Sequence, residues 1–523
     1  MIKVSVVVPV YNPGHNIDRC IATLVDQSLP KDEYEVIFVD DGSTDETPAR
    51  LDELAREHEH VRVEHIPNSG WPGRPRNLGI DMANGEYVYF VDNDDHLGEE
   101  ALERLYARAT ELDSDVVVGK IVGRGKHVPR AVFTQNRDSV DLGWRPLVRL
   151  LTPHKLFRKS LLDEHGIRFP EGRRRLEDHV FVMHAYFHAR KVSILADYPC
   201  YYWVLHRGEE TNASYSRFDA KGYYANVREV LDLVVEHTEP GPGRDRLLAH
   251  WYRGKMLGRV GGRWWPHRSP EFRRELFDEV SKLARERYGP ESDEYLARHL
   301  RVRSYLLREG SFETLSRLAF WEAELRADVT IDPRWEDDGT LVLAFEARMV
   351  GRGDKPLLFE RRGERLFWAP PEELRGELPD DLLDWTDAIP NATLHTIIRA
   401  KRDETDFVLP TRYVREIDDV KGGATVVLRG EARVEPGRAA AGAKPRAGRW
   451  ELLGQLTICG FTAMSKPRLR RTAAEYEIRI DHQGAPVRRA PSRMPSVRGR
   501  LARRLPRVAR VVRRAKERRD SVR

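Results

Sequence analysis

Two short acidic clusters are the stretches of this sequence whose residue types could do chemistry. Asp41 comes just after the apolar run at residues 36–39, and Asp92 and Asp94 follow the apolar run at residues 87–91. In an extended chain the side chains of Asp92 and Asp94 project to one side, where both carboxylates can bind one hard cation. Mn²⁺ or Mg²⁺ is the cofactor that such oxygen ligands favour. A solvated acidic turn is the alternative.

The elements that must position these clusters are short strands. The two apolar runs are typical of buried strands in a parallel sheet, and segments with helical apolar spacing separate them. This alternation predicts an α/β domain with a mainly parallel sheet. The predicted strands are residues 3–8, 35–39, 61–66, 87–91 and 115–119. Because ligands bind beyond the carboxyl ends of such strands, both acidic clusters should line one edge of the sheet.

The loops after these strands carry two further expectations. Only Gly14 stands where a dinucleotide-binding fold has three glycines after its first strand, which argues against NAD or FAD. Ser43 or Thr44 should cap the helix predicted to follow the second strand. Asp95 is expected to turn the chain or to cap the helix after the second acidic cluster.

A third acidic pair, Glu177 and Asp178, follows a run of three arginines and precedes an apolar stripe of helical spacing. Both carboxylates therefore stand at a predicted helix N-terminus, where the helix dipole stabilises negative charge. A capping role alone explains their position. The alternative, favoured by the other motifs, is that Asp178 is a general base.

Length and composition indicate a multidomain protein without a membrane span. The chain has 523 residues, of which 40% are hydrophobic and 33% charged, so about three domains are expected. It contains no apolar run of about 18 residues, the length that a transmembrane helix needs. Residues 1–10 are interpreted as a strand rather than a signal peptide. The cysteines Cys20, Cys200 and Cys459 are far apart, which suggests a reducing, cytoplasmic location.

Beyond about residue 215 the sequence patterns change twice. Residues 216–316 are predicted to be helical, with four basic residues interleaved with aromatic residues. The basic residues are Arg253, Lys255, Arg259 and Arg263, and the aromatic residues are Trp251, Tyr252, Trp264 and Trp265. Such a strip suits a repeating anionic polymer, although a solvated helix face is an equal alternative. Residues 317–482 show the alternation of an all-β sandwich, interpreted as immunoglobulin-like and used for oligomerisation or polymer binding.

The last segment, residues 483–523, is strongly basic. From Arg488 to the end the chain has 14 Arg and one Lys against Glu517 and Asp520, a net charge of +13, whereas the rest carries −8. Apolar residues at helical spacing within it suggest an amphipathic segment that binds an anionic membrane surface. A disordered arm that binds anionic polymers, including RNA, without sequence specificity is the alternative.

Five motifs in order resemble the inverting glycosyltransferases of family 2, which have the GT-A fold. The motifs are residues 8–12, residues 39–45, Arg76-Asn77-x-Gly79, residues 91–95 and Glu177-Asp178. The resemblance covers the first 215 residues. Residues 68–77, 154–158, 177–181 and 201–203 narrow it to the polyribitol-phosphate N-acetylglucosaminyltransferases of wall teichoic acid.

This resemblance implies a role for each candidate site residue. Pro9 and Tyr11 would frame the nucleotide base, although Tyr11 could instead be a loop aromatic that covers the sheet end. Asp41 would accept hydrogen bonds from uracil and ribose, with capping of a turn as its alternative. The residues expected to contact the nucleotide and diphosphate are Asn68, Arg76 and Arg207. Arg76 could instead be a surface cation paired to a carboxylate.

The remaining implied roles concern the metal and the reaction. Asp94 would bind the metal, with Asp92 bonding the ribose or assisting. Asp178 would be the general base, Glu177 would orient the sugar or the acceptor, and the product would be β-linked. His206 is a further candidate metal ligand, although a lone exposed histidine is the favoured interpretation.

The sequence therefore predicts a metal-dependent transferase that is peripheral at the inner face of the cell membrane. Its donor would be a UDP-sugar, favouring UDP-N-acetylglucosamine, and its acceptor a polyol-phosphate polymer bound at the basic strip. Related enzymes suggest a homotrimer, and no specific nucleic acid is expected. The alternatives are transfer to another cell-surface glycan and a non-catalytic polymer-binding protein.

Overall fold

The structure is a computed structural model, and it describes residues 1–126, 128–206, 219–402, 406–439 and 444–487. Its N-terminal region is a nine-stranded sheet with helices packed against it. The strands are β1 (Val4–Val10), β2 (Tyr34–Asp40), β3 (Val61–His65), β4 (Tyr87–Phe90), β5 (His96–Leu97), β6 (Val116–Arg124), β7 (Arg137–Val140), β8 (Leu156–Arg158) and β9 (Val192–Val204). The helices are α1 (Asp18–Leu24), α2 (Thr47–Glu57), α3 (Gly73–Met82), α4 (Ala101–Leu112), α5 (Lys159–Glu164) and α6 (Glu177–His188).

The strand order β3-β2-β1-β4-β8-β6-β9-β5 confirms the predicted α/β domain. Strands β3, β2, β1 and β4 are parallel neighbours, and β8 pairs antiparallel to both β4 and β6. Every residue of β1, β2 and β4 is buried, as their apolar runs predict. The register aligns Val10 with Asp40 at the carboxyl end. Both acidic clusters therefore lie beyond the same edge of the sheet.

Helix α3 packs very closely on β1 because Gly79 has no side chain. A Cβ atom at Gly79 would stand 2.2 Å from Cγ1 of Val7.

The predicted cap of α2 is wrong: the carboxylate of Asp45 accepts a hydrogen bond from the Thr47 amide at 3.1 Å. The Ser43 hydroxyl instead accepts from the amide of Asn12, which joins the loops after β1 and β2.

The helical region that the sequence predicts follows directly. Its helices are α7 (Ala220–Glu236), α8 (Pro242–Trp251), α9 (Pro270–Arg287), α10 (Arg298–Arg308) and α11 (Phe312–Ala323), and residues Tyr252–Leu257 form a π-helical turn. Arg303 of α10 and Glu322 of α11 form a buried ion pair, with Arg303 Nε 3.0 and 2.9 Å from the two carboxylate oxygens. Arg303 also donates to the Leu257 carbonyl at the end of the π-helical turn. The Arg303 guanidinium therefore links α10, α11 and the end of the π-helical turn.

The region after α11 is all-β apart from the short helix α12 (Asp380–Leu383) and single turns, in its described part. Its strands are β10 (Arg326–Trp335), β11 (Leu341–Val350), β12 (Phe359–Arg362), β13 (Arg365–Trp368), β14 (Thr393–Ala400), β15 (Asp406–Val408), β16 (Thr411–Val420), β17 (Gly423–Val434), β18 (Gly448–Ile458), β19 (Phe461–Ser465), β20 (Arg468–Leu469) and β21 (Glu477–Ile480). They form sheets of seven and five strands, more than an immunoglobulin domain has. The sheets face each other where Gly454 of β18 lies against Val329 of β10.

Two other expectations can be compared with the described residues. Cys20, Cys200 and Cys459 are all buried free thiols. Among the described helices, none combines the length and apolarity needed to cross a bilayer. The basic tail from Arg488 onward lies outside the described residues, and so does the membrane-surface prediction that rests on it.

Replacing Glu322 with glutamine should destabilise the helical region, because Arg303 would keep its charge in a buried site without its counter-ion. Breaking a buried pair typically costs about 3 kcal/mol or more. The measurement is the midpoint of thermal unfolding. The matched control is Glu313→Gln on the same helix, which removes an exposed pair with Arg274 and should leave the midpoint nearly unchanged. Equal shifts in the two variants would contradict this assignment.

Candidate active site

The nucleotide end of the candidate site is built where β2 ends. Both carboxylate oxygens of Asp41 accept hydrogen bonds from Ser69, one from its amide at 2.7 Å and one from its hydroxyl at 2.9 Å. The side chain of Asn68 donates to the Asp41 carbonyl at 2.8 Å. Burial raises the pKa of Asp41. Asp41 therefore holds the loop after β3 against the end of β2, rather than capping the turn that follows it.

Residues at the end of β1 complete this corner. Pro9 is buried within the strand and pairs with Val39. Tyr11, just beyond the strand, is 52% exposed. Gly42 has a φ of +73°, and a Cβ atom there would stand 2.7 Å from the Asn68 amide nitrogen. The Asp41 amide donates to the carbonyl of Val10 at 2.8 Å, so the exposed Tyr11 follows directly on the segment that pairs with Asp41.

The centre of the site is a buried guanidinium that joins two carboxylates. Arg76 is 3% exposed, and its Nη2 donates to Asp92 Oδ1 while its Nη1 donates to Asp178 Oδ1, both at 2.8 Å. Glu177 Oε1 lies 4.0 Å from Nη1. The side chains of Asp92 and Asp178 are 31% and 28% exposed. The protein therefore encloses the guanidinium group of this bridge, whereas its two carboxylates are partly accessible to solvent.

This geometry corrects the alternative that Arg76 is a surface cation. Arg76 lies in the first turns of α3, whose first residue, Gly73, approaches the carbonyl of Pro170 so closely that a Cβ atom would be 2.6 Å away. The guanidinium carbon lies 5.1 Å from the centre of the Phe169 ring. The helix is thereby pressed against residues 169–170, and Arg76 is directed under the carboxyl ends of the strands.

A second set of contacts orders the loop after β4. His154 Nε2 lies 3.5 Å from Asp92 Oδ2, and the His154 ring stacks on Tyr201 with centroids 4.2 Å apart. The Tyr201 hydroxyl donates to Asp95 at 2.6 Å, and the Val204 amide donates to the same carboxylate at 2.8 Å. Asp95 does turn the chain, since its amide donates to the Asp92 carbonyl at 3.1 Å, but it does not cap a helix, because its buried carboxylate anchors β9.

Asp94 differs from its two neighbours. Among the described residues, no other residue donates a hydrogen bond to its carboxylate, whereas Asp92 and Asp95 are both occupied. Burial and the nearby Asp92 raise the pKa of Asp94. The His206 ring nitrogen lies 2.8 Å from the Asp94 carbonyl oxygen, and His206 is half-buried, so its interpretation as a lone exposed histidine is wrong.

The residues of this loop are of the kind that hold a divalent cation. One ligand atom each from Asp92, Asp95 and His154 lie within 4.8 Å of one another. Asp94 is not part of that group, but it belongs to the same loop and offers a carboxylate that no other described residue occupies. Adjacent carboxylates that are poorly solvated repel one another, and a cation relieves that repulsion. Asp94 with Asp92 supplies the oxygen ligands that Mg²⁺ and Mn²⁺ prefer.

Asp178 lies in the first turn of α6. Among the residues that the structure describes, no side chain caps the N-terminus of this helix, and the Asp178 carboxylate contacts Arg76 instead, so capping alone does not explain the acidic pair. Burial raises the pKa of Asp178 to about 7, with Glu177 and Asp92 adding to the rise and Arg76 opposing it. A carboxylate with such a pKa can accept a proton near neutral pH. Glu177 itself is buried beside it.

Two lysines face Asp178 from different parts of the chain. Lys155, fully buried before β8, donates to the Thr152 carbonyl, and burial lowers its pKa to about 7 while Asp178 opposes this shift. Lys255 comes from the π-helical turn, and burial lowers its pKa to about 8, again opposed by Asp178. His154 and Lys155 were not predicted to be site residues. The signal that could have found them is that residues 154–158 carry part of the family resemblance.

The predicted basic strip is only partly correct. Trp251, Tyr252 and Trp265 are fully buried, so they do not alternate with the basic residues on the surface, and only Trp264 is exposed. The π-helical turn breaks the spacing on which the prediction rested. The basic residues point to different surroundings: Lys255 faces Asp178, Arg259 lies over the Tyr223 ring, Arg263 lies over Trp264, and Arg253 is near Arg145 and Arg149. Arg207 lies outside the described residues.

The sheet domain and the helical region are both similar to known proteins. Residues 5–198 match the family described as "Glycosyl transferase family 2". The chain is 32% identical over 265 residues to the poly(ribitol-phosphate) beta-N-acetylglucosaminyltransferase TarP of Staphylococcus aureus, and the match covers 48% of this chain and 80% of that protein. The chain belongs to glycosyl transferase family 2. Residues 220–319, which contain the helices α7 to α10 and part of α11, match the "Glycosyl transferase TarS linker domain".

Two longer relatives and a solved structure are also similar. The chain is 34% identical to the poly(ribitol-phosphate) beta-glucosyltransferase of Bacillus spizizenii and 35% identical to TarS of Staphylococcus aureus, covering 63% and 48% of this chain and 52% and 44% of those proteins. It therefore spans about half the length of these two relatives. A structure of S. aureus TarS residues 1–349 in complex with UDP-GlcNAc matches 68% of this chain and 98% of that one, with 26% identity and a TM-score of 0.56. The predicted family is confirmed, and so is the predicted fold class of an α/β domain followed by a helical region and a β-rich region.

Replacing Arg76 with alanine should cost more stability at about pH 8 than at about pH 5, since the carboxylates lose their cation and their pKa values rise. At a pH below the pKa values of Asp92 and Asp178 in the variant, protonation removes the repulsion between the two carboxylates. At a pH above them, the loss of the ion pairs with Arg76 should lower the free energy of unfolding by about 3 kcal/mol. Thermal unfolding at the two pH values measures the difference. Arg104→Ala, which removes an exposed pair with Glu100, is the control. A loss independent of pH would contradict the bridging role.

Proposed function

We propose that this protein transfers a sugar, N-acetylglucosamine in particular, from a UDP-sugar to a hydroxyl group of a polyol-phosphate polymer, with inversion at the anomeric carbon. The contact that carries the proposal is the bridge from Asp92 through Arg76 to Asp178. It joins the carboxylates of the predicted donor side to the proposed base in one cluster. Relatives named poly(ribitol-phosphate) glycosyltransferases support the acceptor class, and a similar structure with UDP-GlcNAc supports the donor.

In this mechanism Asp178 removes a proton from the acceptor hydroxyl as its oxygen bonds to the anomeric carbon. The bond from that carbon to the diphosphate oxygen breaks, and UDP leaves with the bonding electrons. Arg76 holds Asp178 by one nitrogen and opposes the rise of its pKa, so the carboxylate remains a usable base near neutral pH. Arg76 is thus a positioning residue for Asp178 and Asp92 together.

On the donor side, Tyr11, Asp41 and Asn68 would bind the base and ribose. A bound Mn²⁺ or Mg²⁺ would neutralise the charge of the leaving diphosphate, held by Asp94 with Asp92. The fit rests on the unshared Asp94 carboxylate. On the acceptor side, Lys255 would attract a backbone phosphate of the polymer, because its positive charge lies close enough to Asp178 to interact with it.

The cellular setting of the enzyme is proposed from the sequence. The arginine-rich tail would bind the anionic inner face of the cell membrane. The two-sheet region would assemble subunits into a trimer. The membrane proposal rests on the positive charge of the tail, and the trimer proposal rests on the class of the two-sheet region.

Release of UDP from a panel of UDP-sugars, with and without polyribitol phosphate, should be stimulated by the polymer for one donor. Asp178→Asn cannot accept a proton and should lower kcat by about 10²–10⁴-fold, with little change in the KM for the donor. Asp81→Asn, an exposed carboxylate on α3, is the control. Release that ignores the polymer would refute the proposed acceptor. No release from any donor by the folded protein would favour a non-catalytic polymer-binding protein.

Removing divalent metal with EDTA should abolish UDP release, and Mn²⁺ should restore it. Asp94→Asn should raise the Mn²⁺ concentration for half-maximal release by at least about tenfold, because the variant loses an anionic ligand. Asp26→Asn, an exposed carboxylate on the chain after α1, should behave as wild type. Full activity in EDTA would contradict the metal site.

A further inference from the structure

Three histidines converge on the outer side of the catalytic domain, in a cluster that the proposed reaction does not use. His184 and His188 are four residues apart on α6 and therefore lie on one face of that helix. His237 directly follows the last residue of α7, the first linker helix. One ligand atom from each of the three residues lies within 4.8 Å of the other two. All three side chains are half-buried.

The hydrogen bonds of two rings fix which nitrogen is available. His188 Nδ1 lies 2.9 Å from the His184 carbonyl oxygen, and His237 Nδ1 lies 3.0 Å from the Leu233 carbonyl oxygen. A carbonyl oxygen only accepts, so each Nδ1 carries the hydrogen, and in the neutral ring Nε2 keeps its lone pair. A histidine that binds a metal commonly donates its other ring nitrogen to a backbone carbonyl in this way.

The surroundings of the cluster favour a bound cation. The carboxylates of Glu236 and Glu229 supply negative charge near His184. The ring of Phe187 stacks on His237 with centroids 4.9 Å apart and limits its orientation.

The nitrogen ligands select the kind of metal. Imidazole suits Zn²⁺ well, whereas Mg²⁺ and Mn²⁺ prefer oxygen ligands. In a tetrahedral zinc site the nitrogen atoms stand about 3.4 Å apart, whereas the ligand atoms here lie within 4.8 Å of one another, so the rings would need to approach by up to about 1.4 Å. His188 and His237 both lie at helix ends, where such an adjustment is easiest. Each of their Nδ1 hydrogen bonds goes to the carbonyl four residues earlier in the same helix, which leaves the Nε2 lone pair of both rings available to a metal.

We propose that His184, His188 and His237 form a Zn²⁺ site that joins α6 of the catalytic domain to α7 of the linker. Three imidazoles leave a fourth position for water or another ligand. Because α6 begins with Glu177 and Asp178, a metal near its C-terminal end would fix the helix that carries the proposed base against the linker. The site is separate from the acidic loop of Asp92 and Asp94 and does not depend on the proposed function.

The test uses the full chain, made without a polyhistidine tag, stripped with EDTA and dialysed. Zn²⁺ titration should show one equivalent that the double variant His188→Gln/His237→Gln lacks, and Zn²⁺ should raise the unfolding midpoint of wild type only. Co²⁺ substituted at this site should give the strong visible absorption of tetrahedral coordination, which oxygen ligands at the acidic loop would not give. The matched control is His58→Gln/His60→Gln, which removes two histidines whose rings contact each other outside the cluster.

The outcomes are distinguishable. Loss of one zinc equivalent and of the cobalt absorption in the double variant, with the control unchanged, supports the site. No high-affinity zinc in wild type, or equal zinc in wild type and the double variant, overturns it. If the metal-free double variant unfolds at a much lower temperature than metal-free wild type, the single change His237→Gln, at the end of α7, is used for the same comparison.

Discussion

The buried guanidinium of Arg76 is the constraint on which the catalytic domain depends. Removing such a charge from water costs several kcal/mol, and only well-placed counter-ions offset that cost. Its two partners come from separate elements, Asp92 from the end of β4 and Asp178 from the start of α6. Stacked and edge-on rings below it, from Phe90, Phe169 and Phe181, hold those elements in place. The charge is therefore satisfied only when the sheet edge and α6 are correctly assembled.

One cation shared by two carboxylates still leaves them chemically different. The pKa of Asp92 is lowered because His154 and Arg76 together outweigh the effect of burial. The pKa of Asp178 is raised because burial, Glu177 and Asp92 outweigh Arg76. Pairs of acidic groups whose environments separate their pKa values are the usual arrangement for distinct acid–base roles. Asp92 thus stays charged beside the donor, whereas Asp178 can gain and lose a proton.

The sequence predicted the edge of the site well but not its centre. Parallel strands end at a common edge, so apolar runs followed by acidic residues place Asp41, Asp92 and Asp94 there. The bridge through Arg76 depends on the close approach of Gly73 to Pro170, which involves residues distant in sequence and leaves no periodic signal. The exposure of Trp265 was predicted wrongly because the π-helical turn Tyr252–Leu257 shifts each later side chain around the helix axis, whereas Trp251 and Tyr252, before and at the start of that turn, are simply core residues.

The linker helices also hold α6, so they are part of the site. The indole of Trp251 donates to His179 at 3.1 Å, directly after Asp178, and Arg174 pairs with Glu229 of α7. Tyr224 of α7 donates to the carbonyl of Lys255, whose ammonium group faces Asp178. The proposed base Asp178 therefore stands between the sheet edge, which is the proposed donor side, and a cationic side built by the linker. Substitutions in the linker could change acceptor preference while the bonds that hold Asp41, Asp92 and Arg76 stay intact.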